Sequence, residues 1–250
     1  LNPKFYFNQS LLAENYYLNK NNDQATKILE NFKKKDKLYF WYKTKKIGRI
    51  LSEDNSEEEA IKYINKNFNS IKKPTEKILY DYANINKGFE KYEIAIEYYT
   101  ELLKTVDQSS YAISRILYRR GSSYERTGNY EKADRDLIES LKMYPNEPYT
   151  LNYLAYSWLE RNYKIDEAIN MIQKAHKQKE NDPYITDSVG WGFYLIGDYI
   201  NAEKYLKKAL QLMPDDPIVN DHYGDVLWKL NKKLQAKYYW QAVLGLEETE

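Results

Sequence analysis

Cysteine is absent from the 250-residue chain, so neither a disulfide nor a thiolate metal site can contribute to its fold or chemistry. That absence fits a reducing cytoplasm, and equally an envelope protein that avoids stray oxidation. Glycine and proline are scarce, at nine and seven residues, which removes most helix breakers and favours long helices. No stretch approaches the roughly 18 consecutive apolar residues that a membrane-spanning helix needs, and the opening Leu1-Asn2-Pro3 carries no secretory signal pattern. Net charge is missing too. Against 38 Lys and Arg stand 37 Asp and Glu, leaving +1 and no global attraction to nucleic acid or an anionic membrane. The only two histidines, His176 and His222, are far apart in sequence. There is no Ser-His-Asp set, phosphate-binding loop or His-Glu-x-x-His pair, so no catalytic residue, metal or cofactor is expected, and each histidine reads as a surface or packing residue. Gly190-Trp191-Gly192-Phe193 resembles the start of a dinucleotide loop only superficially, because no strand precedes it.

What is present is a repeat. Ala25, Ala60, Ala95, Ala133, Ala168, Ala202 and Ala236 are spaced by 35, 35, 38, 35, 34 and 34 residues. A second small residue precedes each by 12 positions, or 13 in one case: Ala13, Gly48, Ala83, Gly121, Ala155, Gly190 and Gly224. Three beyond that site stand Tyr16, Leu51, Asn86, Tyr124, Trp158, Phe193 and Leu227, and four beyond the Ala stand Leu29, Ile64, Tyr99, Leu137, Ile172, Leu206 and Trp240. With Ala175 and Ala209, twelve of the fourteen alanines fall on this lattice, too many for chance.

The physical reading is a helical hairpin repeated seven times. Antiparallel helices approach to about 8–10 Å only where side chains are small, so each hairpin needs a small residue on both helices. Large residues one turn away share that face and reach the next hairpin. One hairpin cannot bury the face alone, whereas a stack can. The turns agree: Lys72-Lys73-Pro74, Asn146-Glu147-Pro148, Asn181-Asp182-Pro183 and Asp215-Asp216-Pro217 separate hairpins, with Asp or Asn next to Pro starting the helix that follows. Gly128 and Gly197 end helices within them. The runs Lys33-Lys34-Lys35 and Glu57-Glu58-Glu59 read as a solvated helix end and a helix N-terminus. Length alone permits one domain or two. The unbroken lattice predicts one all-α solenoid over 1–250, with repeats near 6–40, 41–75, 76–113, 114–147, 148–182, 183–216 and 217–250.

These residues resemble the tetratricopeptide-repeat family. The sixth repeat carries the pattern most fully, as Val189-Gly190, Phe193, Gly197-Asp198-Tyr199, Ala202, Leu206, Ala209 and Pro214. The fourth follows with Leu117, Gly121, Tyr124, Gly128, Tyr130, Ala133, Leu137 and Pro145. The match weakens toward the start, where Asn67 occupies a usually small site and the closing Pro is missing. The runs 182–191 and 220–228 are similar to the ends of envelope tetratricopeptide proteins of Gram-negative bacteria, several of them lipoproteins that act as protease adaptors. That likeness implies a periplasmic or envelope setting, with the cytoplasm as alternative, and this chain has no lipobox cysteine.

The resemblance further implies a right-handed superhelix whose first helices line a concave groove. Carried over in register, the groove residues are Lys45, Arg49, Lys77, Asn84, Arg115, Tyr118, Asn152, Tyr156, Asp187, Trp191, Tyr194, Asp221, Asp225 and Trp228, running from basic through aromatic to acidic. Tyr156, Trp191 and Trp228 have two compatible readings, as packing between adjacent first helices or as rings of an extended-peptide groove. The leading functional expectation is a protein- or peptide-binding scaffold or adaptor, not an enzyme, whose partner is another protein. One alternative is the recognition arm of a larger enzyme. The other, an RNA-binding helical repeat, should be distinctly basic and is disfavoured by the +1 charge. In the last helix, Tyr239 and Trp240 are expected at an outward apolar face available for self-association or a partner, with the acidic tail Glu247-Glu248-Thr249-Glu250 limiting non-specific sticking.

Overall fold

The computed structural model describes residues 3–54, 56–106 and 110–247, except the side chains of residues 3, 4, 110, 246 and 247. The tail at 248–250 lies outside the described residues. Within them there are fourteen α-helices and no strand. The chain divides into two compact units, Leu1–Asp107 and Gln108–Glu250. The first holds α1 (Pro3–Leu18), α2 (Asn22–Glu30), α3 (Lys37–Asp54), α4 (Glu57–Asn69), α5 (Glu76–Gly88) and α6 (Tyr92–Thr105). The second holds α7 (Ser110–Arg126), α8 (Tyr130–Met143), α9 (Pro148–Glu160), α10 (Ile165–Gln178), α11 (Pro183–Leu195), α12 (Tyr199–Leu212), α13 (Pro217–Lys229) and α14 (Lys233–Glu247). In each unit consecutive helices pair as hairpins, and each marker Ala lies on the second helix of its pair. None of the described helices is long and apolar enough to cross a membrane.

The small-residue lattice has a specific cause. All seven marker alanines are completely buried. Opposite them, the small residue of the first helix faces the large side chain one turn past the Ala. A β-carbon at Gly48 would sit 2.6 Å from Ile64, at Gly121 2.9 Å from Leu137, at Gly190 2.6 Å from Leu206 and at Gly224 2.5 Å from Trp240. The second helix thus drives one large side chain into the groove that each glycine leaves. Around these crossings the cores close. In the first unit Tyr6, Ala13, Leu29, Phe32 and Ile47 pack together, and Phe68 stacks on Tyr82 at 3.6 Å. In the second, one cluster joins Leu137, Leu154, Trp158, Ile172 and Val189, and another joins Leu206, Tyr223, Val226 and Leu227.

Helix starts follow the expected chemistry, with one difference. Asp182 and Asp216 cap α11 and α13 by accepting from the Ile185 and Val219 N–H at 3.1 and 3.0 Å, with proline next in line. At α9 the cap is Glu147, which accepts from Thr150 N–H at 2.7 Å, and not Asn146. In six hairpins the chain reverses through the left-handed region. Gly128 and Gly197 enter it as expected, at φ +74° and +83°, and Lys20, Glu90, Asn231 and the pair Asn162 and Lys164 do so at four other turns.

Candidate functional site

In the unit 108–250, the four first helices α7, α9, α11 and α13 each place side chains six and three positions before their small residue and one and four positions after it. The earliest of these rows holds Arg115, Tyr149, Tyr184 and Ile218, all exposed, with Tyr184 at 63%. The next rows sink inward. Tyr118, Tyr156 and Tyr194 are half-buried, and burial raises the pKa of each phenol above its ordinary value. For Tyr156 the charges of Glu160, Asp187 and Glu125 add to that effect.

At the α7 end, Arg115, Arg119, Tyr111, Tyr118, Tyr144 and Tyr149 line a hollow of about 470 Å³. The Arg115 guanidinium lies 5.6 Å from the Tyr111 ring, and Tyr118 meets Tyr153 edge-on at 5.9 Å. Tyr153 donates to Glu125 at 2.8 Å, tying α9 to α7. The buried carbonyl oxygen of Asn152 has no hydrogen-bond partner among the described residues.

Toward α13 an aromatic and acidic cluster joins three hairpins. Trp191 donates its indole N–H to Glu160 at 2.5 Å, stacks on Tyr194 at 4.6 Å and stacks on His222 at 4.0 Å with the rings 12° apart. His222 is buried, its Nδ1 3.1 and 3.0 Å from the Asp187 carboxylate oxygens. Burial alone would lower the imidazole pKa. The hydrogen bond and charge of Asp187, reinforced by Asp221 and Glu160, outweigh it and hold the ring above its usual value. Beyond, Asp221 is exposed and Asp225 half-buried. Burial, then the Asp221 charge, raises the Asp225 carboxyl above the ordinary carboxylate range.

The expected groove residues therefore divide. Arg115, Tyr118, Tyr156, Trp191, Tyr194, Asp221, Asp225 and Trp228 are exposed or half-exposed along these first helices. Asp187 is a departure from expectation, because His222 covers it and withdraws it from the surface. Trp191 realises the packing reading, bridging α9, α11 and α13. In the unit 1–107, Lys77 is exposed, but Lys45 is held 2.6 Å from Asp81 and Arg49 2.9 Å from Glu53. Asn84 accepts from the Tyr99 hydroxyl at 2.7 Å. The basic character expected there is largely neutralised by acids of the same unit. At the last helix Tyr239 and Trp240 are half-buried against Tyr223 and Gly224, and the outward exposure falls on Leu234, at 86%, Tyr238, at 67%, and Leu244. Glu125, Glu160 and His222 join the site in the structure without a mark of their own in the repeat pattern. Glu160 carries a weak signal, since it lies one turn beyond Tyr156 on the same helix face.

Comparison with known proteins agrees with this architecture. The family described as tetratricopeptide repeat matches residues 114–147, the hairpin of α7 and α8. A TPR repeat-containing protein of Pseudomonas aeruginosa is 36% identical over 110 residues, covering 44% of this chain and 18% of that protein. Human aspartyl/asparaginyl beta-hydroxylase is 32% identical over 68 residues, covering 27% of this chain and 9% of the enzyme. The chain thus spans less than a fifth of either relative. A solved structure of MamA (41-end) from Desulfovibrio magneticus superposes with a TM-score of 0.57 over 70% of this chain and 96% of that one, at 16% identity, a likeness of fold. Residues 114–147 thus match a tetratricopeptide repeat, and the helix pairs and buried small-residue lattice carry the same fold along the described residues.

Proposed function

We propose that this chain is a non-catalytic adaptor that holds an extended segment of another protein along the first helices of the unit 108–250. The observation that carries the reading is the exposed row Arg115, Tyr149, Tyr184 and Ile218, one residue from each of four successive first helices, backed by the half-buried rings of Tyr118, Tyr156, Trp191 and Tyr194. Rigid rings lose little entropy on binding, and a row of them at regular intervals suits an extended chain. Arg115 and Arg119 at one end and Asp221 and Asp225 at the other favour a ligand lying in one direction, its acidic end toward α7. Lys45, Arg49, Lys77 and Asn84 are proposed to contribute within the other unit. The likeness of 182–191 and 220–228 to envelope adaptors, together with a bacterial relative, supports a partner in a bacterial envelope complex.

The reading is tested by affinity capture from the native host with the parent and two variants. Tyr149→Ala combined with Tyr184→Ala should lose the partner. Gln173→Ala, an exposed position on the second helix α10, should retain it. Equal recovery by all three would remove the groove from the account. A second reading, in which these repeats are the recognition arm of a larger enzyme, is favoured by the hydroxylase match, where a similar segment makes up 9% of a catalytic protein. It leaves the binding surface unchanged.

A further inference from the structure

The outer face of the α13–α14 hairpin is the counterpart of the face on which the α11–α12 hairpin seats α13. In that earlier contact His222 of α13 meets the Asp187 carboxylate at 3.0 Å and lies flat on Trp191, while Tyr223 and Val226 share a core with Leu206. Thirty-four residues further on, the positions of Tyr184, Asp187, Trp191, Leu206, Ala209 and Leu210 are taken by Ile218, Asp221, Asp225, Trp240, Val243 and Leu244. These six line an open hollow of about 510 Å³. Its chemistry departs from the template in one respect, since two carboxylates stand where the preceding hairpin has one. Trp240 is hydrogen-bonded to Asp225, and the cations near the acids, His222 and Lys229, belong to α13 itself. Ile218 and Leu244 are exposed at 59% and 62%.

We propose that this face seats one amphipathic helix of a partner protein, with a basic or imidazole side chain at its centre and apolar residues three before, one after and four after it. The pattern is that of α13, where Val219, Tyr223 and Val226 surround His222 and are all buried. The face shares Ile218, Asp221 and Asp225 with the end of the first-helix groove, but the contact is a different one, because it seats a packed helix against α14 and not an extended segment. A second copy of this chain is the natural competitor, its α1 continuing the stack. That helix puts Leu11 where α13 has His222 and has no Lys, Arg or His between Phe5 and Asn19. It would bury Asp221 and Asp225 with no counter-charge beyond the His222 and Lys229 of their own helix, which is costly for two carboxylates, so charge selects a basic helix over a second copy.

The test uses a defined probe: a peptide of residues 217–229, stapled into a helix on the side away from His222, with Asp221→Gln and Asp225→Gln to remove its own acids. Titrated into the intact chain and followed by amide chemical shifts, it should bind saturably and perturb Ile218, Trp240 and Leu244. It should bind more tightly at pH 6 than at pH 8, where the imidazole is uncharged. Asp221→Asn with Asp225→Asn in the chain, or His222→Leu in the peptide, should weaken binding by about five-fold or more and abolish the pH response. Thermal melting of the variant chain confirms that it is folded. Equal affinity for parent and variant chains, shifts confined to α7, α9 and α11, or no binding at millimolar peptide would overturn the proposal. So would sedimentation showing that the chain dimerises through this face and that Leu244→Glu abolishes the dimer.

Discussion

Adding a single methyl group at Gly190 would bring a β-carbon within 2.6 Å of Leu206 Cγ and 2.9 Å of the Leu206 backbone nitrogen, and a backbone atom cannot give way as a side-chain tip can. Gly190→Ala should therefore destabilise the unit 108–250 by about 1–3 kcal/mol. Gly88, at the end of α5, has nothing within 4 Å of the same position, so Gly88→Ala should be stabilising by about 0.5–1 kcal/mol through the unfolded chain. Thermal denaturation of the two variants checks both signs. His222 makes a second prediction at this scale. Its folded-state pKa is raised, so the stabilisation it contributes is complete below the ordinary histidine value of 6.5 and is lost as pH climbs through the raised one. Denaturation of the parent should show the unit 108–250 weakening as pH rises above 6.5, and His222→Gln should flatten that dependence. The small-residue lattice was legible because each position answers a local steric need that recurs every 34 to 38 residues. The Asp187–His222 pair was not, since its members are 35 residues apart and no periodic signal joins them.

Hairpin turns show how one backbone demand is met by different residues. Five positions before the marker Ala, the chain enters the left-handed region as Lys20, Glu90, Gly128, Gly197 and Asn231, and six before in the fifth repeat as Asn162. Only glycine adopts that conformation without steric cost, which for a side chain such as Glu is about 1–2 kcal/mol. Glu90→Gly should thus be stabilising by about 0.5–1 kcal/mol, and Gly197→Ala destabilising by about 1 kcal/mol, in equilibrium denaturation. At this scale the sequence was most readable. Marker spacing, capping acids and the two turn glycines located the hairpins, Asn162 and Asn231 carried the weaker mark of a side chain that tolerates the left-handed region, and Lys20 and Glu90 carried none. Glu147 was overlooked as a cap because glutamate is an uncommon residue there.

For the molecule as a whole, local charge matters more than the total of +1. The expectation of a basic first half rested on Lys45, Arg49 and Lys77, and two of these are engaged by Asp81 and Glu53. The Lys45–Asp81 pairing was illegible in advance, because the two belong to successive hairpins and meet only once these are stacked, whereas Arg49 and Glu53 form an i,i+4 pair on one helix that the sequence does carry. In the unit 108–250 the ordering from Arg115 and Arg119 to Asp221 and Asp225 remains. Arg115→Glu should weaken binding of the captured partner and reduce its sensitivity to salt, whereas Lys174→Glu on α10 should change neither, as read by titration at two ionic strengths.

The most direct measurement places a photo-crosslinking phenylalanine analogue at Tyr149, at Tyr184 and at Gln173 in turn, in the intact protein within its native host. If the first helices hold an extended partner segment, positions 149 and 184 will yield adducts with one and the same protein, at sites a few residues apart and in a fixed order, and position 173 will yield none. Adducts that form equally at position 173, or none at 149 and 184 while the partner is still captured, would contradict the account.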